Sequence, residues 1–292
     1  MNISKLFEKK KVVYSFEIFP PKAESGVNTV YDTIEALGDL SPDYISVTYG
    51  AGGSVRENRT AELSAIVKSK LKIEPLAHLT CICAGRRDID AILEELKRKQ
   101  VSNILALRGD QPKDGTPVLP AAERDFAHAA DLIAYIKEKG DFHIVGACYP
   151  EKHGESPDSD TDIRYLKEKV DAGVGHLVSQ LFFDNDKFYR FMDKAQQVGI
   201  RVPISAGIMP ITSKKQIHKM VNMCGATIPG WLMRIIDKYE NDPLSMRDAG
   251  IICAAQQILE LVSQGVRGIH LYTMNNPAVA RKITLLIGNL LG

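Results

Sequence analysis

The sequence lacks a long apolar segment, and no hydrophobic run reaches the roughly 18 residues that cross a bilayer. A secretory signal has an apolar stretch between its basic residues and its cleavage site. The first residues, MNISKLFEKKKVVYSF, contain no such stretch. We therefore expect a cytoplasmic protein that is neither secreted nor inserted in a membrane.

An excess of charge of one sign is also missing. The 292 residues carry 37 Lys and Arg against 36 Asp and Glu, a formal net charge of +1. This balance gives no broad field for a polyanion, so neither nucleic acid nor an anionic membrane surface is an expected partner. Hydrophobic residues make up 45% of the chain, which is ordinary for a protein with a large core.

Cysteine and histidine patterns typical of metal sites are absent. The five cysteines form no C-x-x-C pair, and the seven histidines form no H-x-H or H-E-x-x-H motif. No Ser or Cys lies in a G-x-S-x-G elbow, which argues against a hydrolytic nucleophile. We expect reduced thiols and no metal.

Glycine signatures for phosphate binding are weak. The first candidate strand is followed by PPKAESG and not by G-x-G-x-x-G. The stretch Gly50–Gly53 lacks the Walker lysine, so it is more typical of a flexible loop than of a phosphate cradle.

Eight β-branched or aromatic runs alternate with helical patterns along the whole chain. The candidate strands are Val12–Phe19, Tyr44–Gly50, Pro75–Cys83, Asn103–Arg108, His143–Tyr149, His176–Phe183, Val202–Met209 and Gly268–Met274. Eight units without a linker favour an α/β fold with a single (β/α)8 TIM barrel domain over 1–292. The alternative, an open doubly wound sheet, usually has about six strands. The seventh unit is longer and predicts extra helices between Ser213 and Gln264.

Glu17 lies in the first candidate strand, where alternation places it on the face opposite Phe16. The active site of such a barrel lies at the carboxyl ends of the strands. Removing a carboxylate from water there costs free energy unless the group is paired with a positive charge or takes part in catalysis. Burial also favours the protonated form that a general acid requires. Catalysis is the favoured interpretation, and a structural ion pair with a neighbouring strand is the alternative.

A glycine between opposite charges ends the fourth candidate strand, in Arg108-Gly109-Asp110. The glycine lets a ligand approach the backbone, the guanidinium can hold phosphate or carbonyl oxygen, and the carboxylate can accept from a heterocycle. Ligand binding is favoured here, with an ion pair between Arg108 and Asp110 as the alternative.

Four further polar residues lie in or just after candidate strands. Tyr149 and His153 offer a ring for stacking and an imidazole, and together they favour a ligand over packing. His78 alone is more typical of a core histidine than of a ligand. The Gln180 amide needs partners in its apolar run, and a substrate contact and a cross-strand hydrogen bond are equally compatible with it.

Nine segments along nearly the whole chain form an ordered set. They are SFEIFPPK, SVTYGAGGS, AHLTCI, LALRGDQP, ACYPEKH, VDAGVGHLVSQLFFD, GIMPI, IPGW and HLYTMN. Each alone is weakly specific, but the ordered set closely resembles the methylenetetrahydrofolate reductase family of one-carbon metabolism. The resemblance implies a barrel that binds FAD without a Rossmann fold, at the length of the short bacterial form.

The resemblance also implies roles for individual residues. Glu17 matches the general acid that opens the imidazolidine ring, and Asp110 matches the acidic residue near the flavin and the pterin. The residues implied to contact the folate are Asp110, Gln180, Gln216 and Tyr272. The residues implied to bind FAD are Thr48, Tyr49, His78, Arg108, Gly109, Asp110, His128, Ala129, Tyr149, His153, Asp162 and Lys169.

The implied activity is the reduction of methylenetetrahydrofolate to methyltetrahydrofolate, a step towards methionine. Hydride passes from NADH or NADPH, or electrons from a redox partner protein, through FAD in a ping-pong scheme. A homo-oligomer is expected from the same resemblance. Asn276 stands where many relatives have Arg, and Met220 where some have an aromatic residue. Contacts with the nicotinamide and the folate tail therefore stay open.

Three other functions are compatible with a barrel. A proline-dehydrogenase-like flavin barrel would oxidise an amine, which needs no acid such as Glu17 to open a ring. A lyase or methyltransferase acting on a folate would lack the yellow colour of a flavin. A noncatalytic subunit that docks a redox partner is disfavoured because the set of polar strand ends is complete.

Overall fold

The computed structural model describes residues 1–20, 27–49, 59–111 and 118–292. The glycine-rich stretch Gly50–Gly53, and PPKAESG after its first proline, lie outside the described residues.

Within these ranges, eight parallel strands pair in chain order, and the last pairs with the first. The strands are β1 Val13–Ile18, β2 Tyr44–Val47, β3 Glu74–Thr80, β4 Asn103–Leu107, β5 His143–Cys148, β6 His176–Ser179, β7 Ile204–Ile208 and β8 Gly268–Tyr272. The sheet is a closed barrel, which confirms the predicted fold and leaves no open sheet edge.

Helices connect the strands around the outside of the barrel. They are α1 Leu6–Lys9, α2 Val27–Gly38, α3 Thr60–Leu71, α4 Arg86–Arg98, α5 Ala129–Lys139, α6 Ser159–Asp171, α7 Asn185–Gln197, α8 Lys214–Cys224, α9 Gly230–Tyr239, α10 Pro243–Ser263 and α11 Pro277–Ile287. Between β7 and β8, where every residue is described, the three helices α8, α9 and α10 follow one another. None of the helices in the described part of the chain is long and apolar enough to cross a membrane.

Several strands end earlier than the sequence predicts. The clearest case is β6, which ends at Ser179 although the apolar run continues to Phe183. Here the Ser179 hydroxyl donates to the Gln180 carbonyl at 3.0 Å, and the Leu181 N–H donates to the Gln180 side-chain oxygen at 2.9 Å. Such local side-chain bonds compete with strand pairing and turn the backbone out of the ladder.

Alternation along each strand divides the core into two layers. Tyr14, Phe16 and Ile18 pack outwards with the helices, whereas Val13 packs inside the barrel. The inner cluster also contains Phe7 from α1, so the N-terminal segment covers the amino end of the barrel. The carboxyl end is therefore the face on which a ligand can reach the barrel interior.

Asn103 fixes this N-terminal segment. Its buried side chain accepts a hydrogen bond from Ile3 N at 3.1 Å and donates one to the Met1 carbonyl at 3.1 Å. The Phe7 ring packs edge-on against His176, with centroids 4.9 Å apart. The segment is thus anchored by both polar and apolar contacts at the amino end.

Phe7→Ala should lower the free energy of unfolding by about 3–5 kcal/mol, as is usual for removing a buried phenylalanine ring. Urea denaturation measures this change. Leu285→Ala is the control, because Leu285 is 77% exposed and the substitution should change stability by no more than about 0.5 kcal/mol. Equal stability of the two variants would show that the N-terminal segment is not part of the core.

Candidate functional site

Glu17 lies near the end of β1, between two histidines of other strands. Its Oε2 lies 3.5 Å from Nε2 of His270 on β8 and 3.6 Å from Nε2 of His78 on β3. The Glu17 side chain is 19% exposed, so it faces the interior but stays within reach of the mouth. The structure confirms the inward orientation that alternation predicts.

Each histidine is also held by a serine of a neighbouring strand. His78 Nε2 lies 2.6 Å from the Ser46 hydroxyl, and His270 Nδ1 lies 2.8 Å from the Ser15 hydroxyl. Burial lowers the pKa of His78 to about 4, and this effect is larger than the opposing effect of Glu17. His78 is therefore neutral near neutral pH, and its contact with Glu17 is not an ion pair.

His270 is a site residue that the sequence reasoning did not single out. It lies two residues after Gly268 and two before Tyr272, so the period of two along β8 places it on the interior face. The same alternation that identified Glu17 could have identified it, had it been applied to the eighth strand.

Tyr272 crosses the mouth towards β6. Its hydroxyl donates to the Ser179 carbonyl at 2.8 Å, and its ring meets His270 edge-on at 5.3 Å. Burial raises the pKa of Tyr272 well above its usual range. Gly207 makes room for this ring, because a Cβ there would lie 2.7 Å from the Tyr272 ring and 2.3 Å from the Ser179 carbonyl oxygen. Gly207 is thus required by the close approach of Tyr272.

Gln180 follows Ser179 and so lies beside the Tyr272 hydroxyl. Its side-chain oxygen accepts from Leu181 N, which is a local bond and not the cross-strand bond considered above. The side-chain nitrogen donates to no residue in the described part of the chain. Gln180 therefore keeps a donor for a ligand at the mouth.

A second group of polar residues lies beyond β4 and β5. The Arg108 guanidinium binds both carboxylate oxygens of Glu155, with Nη2 2.8 Å from Oε1. Arg108 does not pair with Asp110, so that alternative is wrong. Glu155 was not predicted, because it lies in the β5–α6 loop and no local pattern indicates its partner.

Glu155 also links Arg108 to the predicted cofactor residues. Its backbone N–H donates to His153 Nδ1 at 3.2 Å, and the His153 N–H donates to the Asp162 carboxylate at 3.2 Å. The rings of Tyr149 and His153 meet edge-on at 4.7 Å. The structure thus brings Arg108, Tyr149, His153 and Asp162 together, as the resemblance implies.

Lys169 lies beside this group on α6. Its Nζ donates to the Ala147 carbonyl at 2.7 Å, and burial lowers its pKa. Burial also raises the pKa of Asp162, against the effect of its bond with His153. A cleft of about 320 Å³ opens nearby, and its lining includes Tyr149 and Asp162. Basic residues that line the same cleft are Lys152, Lys187, Arg190 and Lys194.

Gly109 and Asp110 follow Arg108 at the end of β4. Gly109 has a φ of +92°, and a Cβ there would lie 3.0 Å from Ile82 Cγ2. Asp110 is exposed. Burial, with smaller contributions from the charges of Asp110 and Glu17, raises the pKa of Cys224 to about 11. The charges of Asp110 and Glu17 therefore both act on Cys224, the last residue of α8.

Thr48 and Tyr49 continue from β2 beside the end of β1. Thr48 N donates to the Ile18 carbonyl at 2.9 Å. Tyr49 is buried, with 8% of its surface exposed. Both residues thus lie one strand away from Glu17.

Three predicted residues lie further out. His128 is exposed and immediately precedes α5, which begins with the half-buried Ala129, and His128 N donates to Asp131 at 2.8 Å. Gln216 lies in the first turn of α8, and its side-chain oxygen accepts from the Thr212 hydroxyl. No contact between described residues joins Gln216 to the group around Glu17.

The profile of the methylenetetrahydrofolate reductase family matches residues 2–288. The chain belongs to this family. It is 34% identical over 95% of its length to the 5,10-methylenetetrahydrofolate reductase of Pectobacterium carotovorum subsp. carotovorum, covering 91% of that protein. Membership makes the chain an oxidoreductase enzyme, and favours reduction over the other barrel functions considered above.

A plant relative and a solved structure extend the comparison. The chain is 35% identical to "Methylenetetrahydrofolate reductase (NADH) 1" of Arabidopsis thaliana over 98% of its length, covering 50% of that protein. An uncharacterized protein from Clostridium thermocellum that binds two copies of 5-methyl-5,6,7,8-tetrahydrofolic acid matches with a TM-score of 0.62, at 14% identity and 99% coverage of both chains. At that identity the likeness shows the fold alone.

The protein should lose stability as the pH falls from 6.5 to about 4, because the unfolded chain protonates His78 in this range and the folded protein does not. Over that window His78 should account for about 3 kcal/mol of the loss. Urea denaturation at several pH values should show a correspondingly smaller loss for His78→Gln.

His218→Gln is the matched control, since His218 is exposed on α8. It should follow the pH dependence of the parent protein. If His78→Gln follows it as well, His78 is not held neutral by burial.

Proposed function

We propose that this chain reduces methylenetetrahydrofolate to methyltetrahydrofolate, with FAD as cofactor and NADH or NADPH as reductant in a ping-pong scheme. The observation that carries the proposal is the placement of Glu17 between His78 and His270 at the barrel mouth. The printed names of the relatives support the substrate, and the name of the Arabidopsis relative supports a nicotinamide reductant. The folate bound by the Clostridium protein is compatible with a folate substrate.

The donor set beyond β4 and β5 fits FAD. Arg108 and Lys169 supply positive charge for a pyrophosphate, and Tyr149 and His153 supply rings against which a flat heterocycle can stack. The basic side chains of the nearby cleft add to the positive charge. When bound, FAD would supply the transfer of hydride from the nicotinamide to the folate.

Glu17 is placed to donate the proton that the folate requires. The closed imidazolidine ring is a poor hydride acceptor until its leaving nitrogen is protonated and the ring opens to a cationic iminium. The Glu17 side chain is 19% exposed, and His78 beside it is neutral.

Asp110 is placed to act on the same substrate by its charge. Its carboxylate is exposed, and its charge acts on Cys224, as the charge of Glu17 does. A fixed negative charge there would stabilise the cation that develops when the ring opens, and the carboxylate can accept from the N–H groups of the pterin. We assign Gln180 and Tyr272 to folate binding with Gln216.

The proposal treats residues 1–292 as one FAD-binding catalytic domain. The remaining predicted FAD residues, Thr48, Tyr49, Gly109, His128 and Ala129, are included in the site on the family resemblance. The proposal also includes assembly into a homo-oligomer, and it allows a redox partner protein in place of the nicotinamide.

Glu17→Gln should separate the two half-reactions. The substitution keeps the size of the side chain but removes its transferable proton, so oxidation of the reduced enzyme by methylenetetrahydrofolate should slow by about 10²–10⁴-fold. Flavin reduction by NADH or NADPH needs no protein acid and should stay within about tenfold of the parent rate. Anaerobic stopped-flow absorbance measures both rates, and the same spectra report the flavin content.

Glu94→Gln provides the matched control, because the Glu94 side chain is 66% exposed on α4 and pairs there with Lys97. It should behave as the parent enzyme in both half-reactions. Oxidation of the reduced flavin by methylenetetrahydrofolate at the wild-type rate in Glu17→Gln would show that Glu17 is not the acid. A parent protein without a flavin absorption band, after expression with ample flavin, would contradict the whole proposal.

Asp110→Asn should impair folate turnover more than flavin reduction, because the lost charge acts on the pterin and its developing cation. The expected loss in the folate half-reaction is about 10²-fold, which is typical of one electrostatic stabiliser. The same stopped-flow measurement tests it. An equal loss in both half-reactions would mean that Asp110 only shapes the flavin site.

A further inference from the structure

We propose that Asn275 is a positioning residue for Glu17, and that its side-chain amide replaces the strand pairing that stops at Glu17. The inference rests on the proposed role of Glu17 as proton donor. It concerns the loop between β8 and α11, to which no role has been assigned above.

Pairing between β1 and β8 ends at the residue that carries the acid. The register runs from Val13 opposite Gly268 to Glu17 opposite Tyr272. On the other side of β1, the last backbone hydrogen bond between described residues runs from Thr48 N to the Ile18 carbonyl. After Ile18 the described backbone of β1 pairs with neither β2 nor β8. Glu17 thus lies only one residue before the end of the strand.

Asn275 supplies the missing pair of bonds. Its Oδ1 accepts from Phe19 N at 3.0 Å, and its Nδ2 donates to the Phe19 carbonyl at 2.8 Å. One amide side chain thus reproduces the two hydrogen bonds that a neighbouring strand would give to Phe19. Both bonds are long-range, so they fix the end of β1 against the end of β8.

Thr273 completes the arrangement from the same loop. Its hydroxyl donates to the Glu17 carbonyl at 2.6 Å, and it accepts from Asn275 N at 3.2 Å. Thr273 is almost fully buried, with 1% of its surface exposed. Hydrogen bonds from Thr273 and Asn275 therefore fix both the Glu17 carbonyl and the backbone of Phe19.

The loop backbone explains why an asparagine suits this position. Met274 and Asn275 have φ values of 52° and 54°, in the left-handed region that most side chains avoid. Asparagine and glycine adopt this conformation more readily than other residues. Asn275→Gly therefore removes the amide while keeping the backbone geometry.

The consequence for the reaction follows from the short reach of a proton donor. An acid must lie within hydrogen-bond distance of the atom that it protonates. A displacement of about 1 Å can slow a reaction by about 10²-fold. Release of Phe19 would free the end of β1 and shift Glu17 relative to His78 and His270, while the residues beyond β4 and β5 would stay in place.

The first test compares Asn275→Gly with Asn2→Gly in the flavin-loaded enzyme. Asn2 is a matched control, because its side chain also accepts from a backbone N–H, that of Ser4, but at the amino end of the barrel. For Asn275→Gly we expect oxidation by methylenetetrahydrofolate to slow by about 10–10²-fold. Flavin reduction by NADH or NADPH, flavin content and the control variant should stay within about threefold of the parent. Equal loss in both half-reactions would indicate a merely structural role and overturn the proposal.

Hydrogen exchange gives a readout that does not depend on activity. The Phe19 amide should exchange at least about tenfold faster in Asn275→Gly than in the parent or in Asn2→Gly, because it loses its acceptor. Unchanged protection of Phe19 would overturn the proposal even if the rates change.

Asn275→Asp tests the donor half of the amide. The new carboxylate can still accept from Phe19 N, but when ionised it places an oxygen against the Phe19 carbonyl, and when protonated it can donate to that carbonyl. In Asn275→Asp, the rate of the folate half-reaction, divided by the parent rate at the same pH, should rise as the pH falls. In Asn275→Gly this ratio should not rise. The absence of a difference between the two pH profiles would contradict the donor role of Nδ2.

The result for Glu17→Gln separates this inference from the proposed function. If Glu17→Gln slows flavin oxidation by methylenetetrahydrofolate and Asn275→Gly does not, only the positioning role of Asn275 fails. If Glu17→Gln leaves flavin oxidation by methylenetetrahydrofolate at the parent rate, the proposed role of Glu17 fails, and the positioning proposal fails with it.

Discussion

The pairing between β1 and β8 is the contact on which the rest of the site depends. It closes the barrel, and its register sets Glu17 opposite Tyr272 and Ser15 opposite His270. Because side chains alternate along a strand, a register shift of one residue would turn Glu17 out of the interior and towards the helices. The N-terminal segment covers the other end of the barrel. Closure and covering together leave the carboxyl end as the place where an acid on β1 can meet a substrate.

Burial gives the two sides of the mouth different electrostatics. Around Glu17 the neighbours are imidazoles and hydroxyls, and burial holds His78 neutral. Around Arg108 and Lys169 the neighbours are charged, with Glu155 and Asp162 as partners or near neighbours. Neutral His78 presents no positive charge to Glu17, whereas the Arg108 guanidinium presents one to an anionic cofactor. The division matches the roles proposed for the two sides.

The sequence predicted the barrel and the inward orientation of Glu17 because both follow from periodicity, which is a local property. It placed several strand ends too late, as at Ser179, because side chains that compete for the backbone leave no periodic signal. It missed Glu155, which lies 47 residues from Arg108 in the sequence. The two residues meet only because the segments after β4 and β5 come together in the fold. The roles of the FAD-binding and folate-binding residues came from the family resemblance alone, and they stay predictions.

The chain from Tyr272 to Pro277 has to satisfy two neighbours at once. It must leave β8 quickly, because α11 begins at Pro277, and yet β1 still needs a partner beyond Glu17. Two adjacent asparagines divide these tasks. The Asn275 amide binds Phe19 on β1, while the Asn276 side chain accepts from Val279 N and caps α11. A backbone that continued as a strand could support β1 but could not start the helix there. Side-chain amides therefore let the loop turn away while the end of β1 keeps the hydrogen bonds of a sheet.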